Sequence, residues 1–253
     1  MQDERKPDRG GNCLANFEFL ECDHEDTRLR GMLIRPAVLP TGALPAVLMF
    51  PGATGPGPSF CAAMEALAAT GRLVIATDMY GAGADVSTRE AAGAHFAALM
   101  AEPELLRERV LVWFAAVQAL AGVDPERIAA IGYCFGGKCV LELARSGAPV
   151  RSVTSFHGLL GTHAPAQPGA ITGKLAIWTG GEDPYVPAQD VEALRRELGE
   201  AGADYQMTLF AKACHAFTDP DHAGIAPGIA YDRTAHRIAW EGTIALLEQT
   251  IGN

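Results

Sequence analysis

The sequence predicts an α/β protein built on a mostly parallel, twisted sheet of about eight strands with helices on both faces. Three observations carry this. Apolar runs of strand length alternate along the chain with stretches of helix length. Turns rich in glycine and proline separate them. Apolar residues make up 49% of the 253 residues against 20% charged, a balance that supports a sizeable core rather than disorder.

Residues 16–21 and 28–35 read as an opening antiparallel pair. Later strands are expected at 46–50, 73–77, 128–131, 153–156, 175–179 and 205–209. The central ones run apolar without interruption, as strands covered on both faces do. Helices are expected at about 60–69, 89–100, 104–121, 137–145, 188–201 and 234–250. Pro103 suits the first turn of the third helix and Gly122 its C-terminal cap. Asp124-Pro125 punctuates the chain before a buried strand. There is no internal repeat, low-complexity segment or linker. The expected organisation is a flexible tail over residues 1–12 (MQDERKPDRGGN, polar and mixed in charge) and one domain over 13–253.

A formal net charge of −10 argues against nucleic acid or anionic lipid as a partner, since both need basic faces. No apolar run approaches the roughly 20 residues that span a bilayer, and no signal peptide is legible. The expected location is therefore cytoplasmic. The six cysteines are Cys13, Cys22, Cys61, Cys134, Cys139 and Cys214. None makes a C-x-x-C pair or a zinc-binding spacing, so neither a metal nor a cofactor is expected. All but Cys134 read as small buried hydrophobes.

Cys134 stands apart because of its setting. Ile128–Ile131 is an apolar strand, Gly132-Tyr133-Cys134-Phe135-Gly136-Gly137 follows, and a helix begins. This is the G-x-S-x-G nucleophile elbow of α/β-hydrolases with cysteine in place of serine. Side chains at Gly132 and Gly136 would collide with neighbouring backbone on so sharp a turn. The turn lifts the sulfur to the carboxyl edge of the sheet, and the helix N-terminus behind it favours a thiolate or an oxyanion. The same segment nearly matches a phosphate loop, through Gly132, Gly137 and Lys138. Cys139, however, occupies the position where a hydroxyl would meet magnesium.

An elbow of this kind requires an acid and then a histidine, each after a later strand. Asp183 follows the 175–179 strand, with Glu182 its acidic rival, and His215 follows the 205–209 strand. Chain order and placement support the pair together more than either residue alone. His157 ends a strand and reads as structural or pocket-lining. His24, His95, His222 and His236 read as surface or helix residues, and His163 lies in a loop.

With Asp78-Met79-Tyr80-Gly81, Phe156-His157-Gly158, Gly181-Glu182-Asp183-Pro184 and His215-Ala216-Phe217 added to the elbow, the chain resembles the dienelactone hydrolase family. The resemblance covers nearly everything after about residue 14. It implies an eight-stranded hydrolase core without a large lid and a catalytic triad of Cys134, His215 and Asp183. It also implies an oxyanion hole from the backbone N–H groups of Phe135 and Ala53. Gly52, Thr54, Tyr80, His157, Tyr185 and Phe217 become the candidate pocket residues. The implied activity is hydrolysis of a small ester or lactone through a thioester, by a monomer or homodimer. Acyl transfer, thioester cleavage and a non-catalytic ligand-binding or redox-sensing role are the alternatives.

Three departures bear on substrate. Gly52 stands where family members commonly carry a glutamate that holds the resting thiol, so direct contact between His215 and the thiol is expected. Ala82 and Asp219 stand where dienelactone-cleaving members place carboxylate-binding arginines. Without them a bidentate clamp is not expected. Arg89 is a candidate to compensate from elsewhere in the chain.

Overall fold

A computed structural model describes residues 17–38 and 42–252. The expected tail at 1–12, Cys13 and Asn16 lie outside the described residues. The described chain forms eight strands: β1 (Glu18–His24), β2 (Thr27–Ile34), β3 (Leu44–Phe50), β4 (Leu73–Ala76), β5 (Val123–Tyr133), β6 (Ser152–Phe156), β7 (Lys174–Gly180) and β8 (Tyr205–Phe210). They lie in one sheet in the order β1-β2-β4-β3-β5-β6-β7-β8. β1 and β2 pair antiparallel with each other, as do β2 and β4, and every other pair is parallel.

The six longer helices are α1 (Pro58–Ala68), α2 (Arg89–Ala101), α3 (Pro103–Gln118), α4 (Phe135–Arg145), α5 (Ala188–Glu200) and α6 (Arg233–Thr250). They divide between the faces of the sheet, and the strand sequences show why. Along β3, Leu44, Ala46, Leu48 and Phe50 join the core under α3, α4 and α5. Val47 and Met49, the alternate residues, join the core under α1 and α6. Period-two alternation with apolar residues on both sides is what a strand covered by helices on both faces requires.

One expected turn is instead part of a strand. β5 begins at Val123 and includes Asp124-Pro125. Val123 pairs with Leu44 and Ile128 with Ala46, so the intervening residues bulge out of register. Pro125 cannot donate to a ladder, and a bulge leaves it no ladder bond to miss. α3 ends earlier than expected, at Gln118, so Gly122 (φ 87°) turns the chain into β5 rather than capping the helix.

α4, which starts at the elbow, is buried along its whole length, charged residues included. Glu142 is enclosed by Arg107, Arg145 (3.1 Å) and Lys138 (3.6 Å). Arg145 also pairs with Glu197 on α5 at 2.8 Å. The same cations donate to the carbonyls of Leu160, Gly161 and Ala164, which ties the loop after β6 to α4. Burial alone would push the Glu142 pKa up. Arg145, Arg107 and Lys138 outweigh it and hold the carboxyl below its ordinary range. Glu142→Ala would strand buried cations, and is expected to cost about 3–5 kcal/mol. A melting experiment should show Tm lower by about 10 °C. A shift of a degree or two would mean that the cations do not depend on this carboxylate.

Candidate active site

Between the last residue of β5 and the first of α4 stands Cys134 alone, with φ 54° and ψ −114°. A β-carbon at Gly132 would land on the Gly136 carbonyl, and one at Gly136 on the Phe50 carbonyl. The glycines are therefore a steric requirement of the elbow. Four non-glycine residues with positive φ occur among the described residues. Glu25 lies in the β1–β2 turn; Cys134, His157 (39°) and Ala216 (54°) gather around one cavity. Backbone strain concentrated in this way is typical of functional sites.

The three candidate residues come from the carboxyl ends of three parallel strands: Cys134 after β5, Asp183 after β7 and His215 after β8. His215 Nε2 lies 3.0 Å from Cys134 Sγ. On the other side of the ring, His215 Nδ1 lies 2.8 Å from Asp183 Oδ2. Asp183 Oδ1 accepts the Tyr185 N–H at 2.8 Å, which fixes the carboxylate. Glu182 instead faces outward and pairs with Lys212 at 2.9 Å. The His215 backbone is pinned by its N–H to the Gly228 carbonyl and by the Ala230 N–H to its own carbonyl. Burial pulls the His215 pKa down. The hydrogen bonds to Asp183 and Cys134 and their negative charges overcome this and push it up to about 10. The imidazole therefore holds its proton between carboxylate and sulfur at neutral pH.

Phe135 opens α4, so its N–H has no partner within the helix and is available beside the sulfur. Ala53 lies in the loop between β3 and α1. Tyr80 Oη donates to its carbonyl at 3.0 Å, and Gly55 N–H to the Gly52 carbonyl at 3.0 Å, which holds that loop. A β-carbon at Gly52 would stand 3.7 Å from the Cys134 β-carbon. A longer side chain at this position would thus enter the space beside the sulfur, and glycine leaves His215 as its contact.

A cavity of about 600 Å³ opens over Cys134. Of the six candidate pocket residues, Gly52, Thr54, His157 and Tyr185 line it. Two require correction. Phe217 is fully buried and packs edge-on against His157 and Phe210, because the chain reverses at Ala216 and carries it into the core. Tyr80 lies behind the Ala53 loop, in a separate cavity of about 210 Å³ that Ala82 also lines. It stacks on Phe135 and supports the loop from the rear. His157 is buried with Nε2 2.8 Å from Thr218 Oγ1, and its ring meets that of His215 edge-on. Burial first, and then the neighbouring His215, hold its pKa well below 6.5, so it is an uncharged neighbour.

Other placements add to the sequence reading or differ from it. His236 lies on α6, and both it and the partly exposed His222 line the cavity. His24 is buried on β1 beside Glu108. Asp219 reaches the cavity, where its carboxylate accepts from His222 Nδ1 at 2.6 Å. Arg89, exposed at the start of α2, lines the rim and has no ion-pair partner among the described residues. Lys138 donates to the Gly161 carbonyl at 2.6 Å beside Glu142, and so is committed away from any phosphate at the turn. Residues that sequence reasoning missed include Phe60, Ala63 and Ala66 on α1 and Trp240 on α6. No group of three or more His, Cys, Asp or Glu among the described residues converges to hold a metal. No described helix is long and apolar enough to cross a membrane.

A sheet in this order, with a strained residue at a strand–helix elbow and an acid and a histidine after later strands, defines an α/β-hydrolase. The family model for the dienelactone hydrolase family matches residues 29–251, and the chain belongs to that family of hydrolases. An uncharacterized Caenorhabditis elegans protein is 33% identical over 148 residues, which cover 57% of this chain and 93% of that one. A Bradyrhizobium sp. protein named "probable 2-oxo-3-(5-oxofuran-2-ylidene)propanoate lactonase" is 24% identical over 85% of this chain and 87% of its own. Among solved structures, the dienelactone hydrolase-like promiscuous phosphotriesterase P91 from metagenomic libraries superposes with a TM-score of 0.86. It is 30% identical over 94% of this chain and 99% of that one.

Proposed function

We propose that the protein hydrolyses a small ester or lactone by covalent catalysis, with Cys134 as nucleophile, His215 as acid and base, and Asp183 as its orienting partner. The sulfur attacks the carbonyl carbon, and the carbonyl π electrons move to oxygen. That oxyanion accepts hydrogen bonds from the N–H groups of Phe135 and Ala53, each donor supplying about 3–4 kcal/mol in the transition state. Collapse breaks the carbon–oxygen bond, and the departing oxygen takes the proton from His215 Nε2. A thioester and an alcohol result; with a lactone the alcohol stays tethered. His215, now neutral, accepts a proton from water, whose oxygen attacks the thioester. Collapse returns the sulfur as thiolate beside the imidazolium and releases the acid.

The observation that carries this reading is the continuous contact from Sγ through both imidazole nitrogens to Asp183, at the base of a substrate-sized cavity. The name of the Bradyrhizobium relative supports ester or lactone chemistry in particular. A thioester intermediate is directly observable. Rapid acid quenching during turnover of p-nitrophenyl acetate should leave one acetyl group on the peptide that carries Cys134, removable by hydroxylamine. Turnover with no acylated Cys134 at any quench time rules the covalent route out.

A further inference from the structure

The mechanism above uses only the part of the cavity around the sulfur. Beyond it, Gly93 and Phe96 of α2 line one part, and another extends over Tyr133, the residue before Cys134, to α1 and α6, which cover the same face of the sheet. Phe60, on α1, meets the Tyr133 ring edge-on. Ala63 and Ala66 from α1 and Trp240 from α6 form the walls. The titratable side chain from α6 here is His236, which lies 3.3 Å from Tyr231 Oη and whose pKa is lowered by burial. Among the described residues no lysine or arginine lines this limb. Arg89 lies on α2, at the exposed rim, and Asp219 is engaged by His222.

Orientation follows from the chemistry. The leaving oxygen must reach His215 Nε2. Tyr185 packs against the His215 ring with centroids 4.8 Å apart and is 48% exposed, so that side of the site is open to solvent. The leaving group occupies the open side, and the acyl group is directed into the α1/α6 limb. At about 600 Å³ the cavity far exceeds what an acetyl group fills and falls in the range that takes a drug-sized ligand.

Resting on the Cys134 acyl-enzyme reading, we infer that the preferred substrates are uncharged esters whose apolar acyl group, of about six to ten carbons, lies between α1 and α6. A carboxylate on the far end of such a chain would sit among Phe60, Ala66 and Trp240 with no cation to pair it, which is strongly unfavourable. Small alanines make the room, and Trp240 supplies the bulk of the α6 wall.

The test is a chain-length series of p-nitrophenyl esters from acetate to dodecanoate, with the mono-p-nitrophenyl ester of adipic acid as the charged counterpart of the hexanoate. It is run on wild type, Ala66→Phe, Trp240→Ala and Cys134→Ala. In the wild type, kcat/KM should rise about fourfold per methylene to at least the hexanoate. The adipate ester should fall about a hundredfold below the hexanoate. Ala66→Phe should lower the ratio of hexanoate to acetate about tenfold or more. Trp240→Ala, which removes bulk rather than adding it, should move the optimum to longer chains. A flat wild-type profile, an adipate ester as good as the hexanoate, or unchanged profiles in both wall variants overturns the acyl limb while leaving Cys134 catalysis standing. Ester turnover that survives Cys134→Ala overturns both.

Discussion

Replacing Cys134 by alanine is expected to lower kcat/KM for a short-chain ester by about 10⁴- to 10⁶-fold, and adding His215→Ala to that variant should lower it no further. The sulfur and the imidazole lie 3.0 Å apart and act on the same proton, so neither retains its role without the other. The two cysteines of the neighbouring helices are not ready substitutes. Cys139 is one helical turn beyond the elbow but fully buried, and burial pushes its pKa far up. Cys61 is buried in α1. The measurement is steady-state hydrolysis of p-nitrophenyl acetate by the two single variants and the double variant, with melting curves to establish folding. Losses that multiply, or a Cys134→Ala enzyme within tenfold of wild type, would show that the two side chains do not act as a unit.

The parts of this arrangement that sequence reveals are those fixed by local sterics. Gly132 and Gly136 are needed because their β-carbons would strike backbone a few residues away, so the elbow is legible as a short motif. The strands of the sheet interior are legible because both faces are covered, which leaves uninterrupted apolar runs such as β3 and β4. Asp183 and His215 are legible because an acid and a histidine follow the right strands in the right order. The cavity walls carry no such mark. Ala62, Ala63 and Ala66 lie beside the core-facing Cys61, Met64 and Leu67 of α1, and an alanine-rich flank of a helix looks the same whether it meets water or substrate. Phe217 and Tyr80 are pocket candidates in the sequence because they belong to motifs that carry the family resemblance. One follows a backbone reversal at Ala216, and the other is held by a hydrogen bond to the back of the Ala53 loop. Neither event is encoded within a few residues of sequence. The β5 bulge depends on the register of β3, a partner more than seventy residues away, and is equally invisible locally.

Asp183→Asn tests the electrostatics rather than the presence of the site. In the wild type, burial opposes charge on His215, and Asp183 and Cys134 outweigh it. The neutral amide cannot stabilise the imidazolium, so burial then dominates and the ring deprotonates at a pH well below the wild-type value. Loss of the orienting carboxylate should lower kcat/KM near neutral pH by about 10³- to 10⁴-fold, as in other triads. Alkylation of Cys134 by iodoacetamide near pH 8 should slow in parallel, because the imidazolium that stabilises negative charge on sulfur is gone. Stability gives an independent readout with a defined sign. The folded pKa of His215 lies above its ordinary 6.5, at about 10. Its protonation therefore contributes stability that is fully present below about pH 6.5 and is lost as pH rises towards 10. Asp183→Asn forfeits the Asp183 share of that contribution at every pH. The difference in Tm between wild type and variant should thus be largest near pH 6 and narrow steadily as pH approaches 10. A gap that stays constant across this range would mean that Asp183 supports the fold by packing and hydrogen bonding alone, with no charge held on His215.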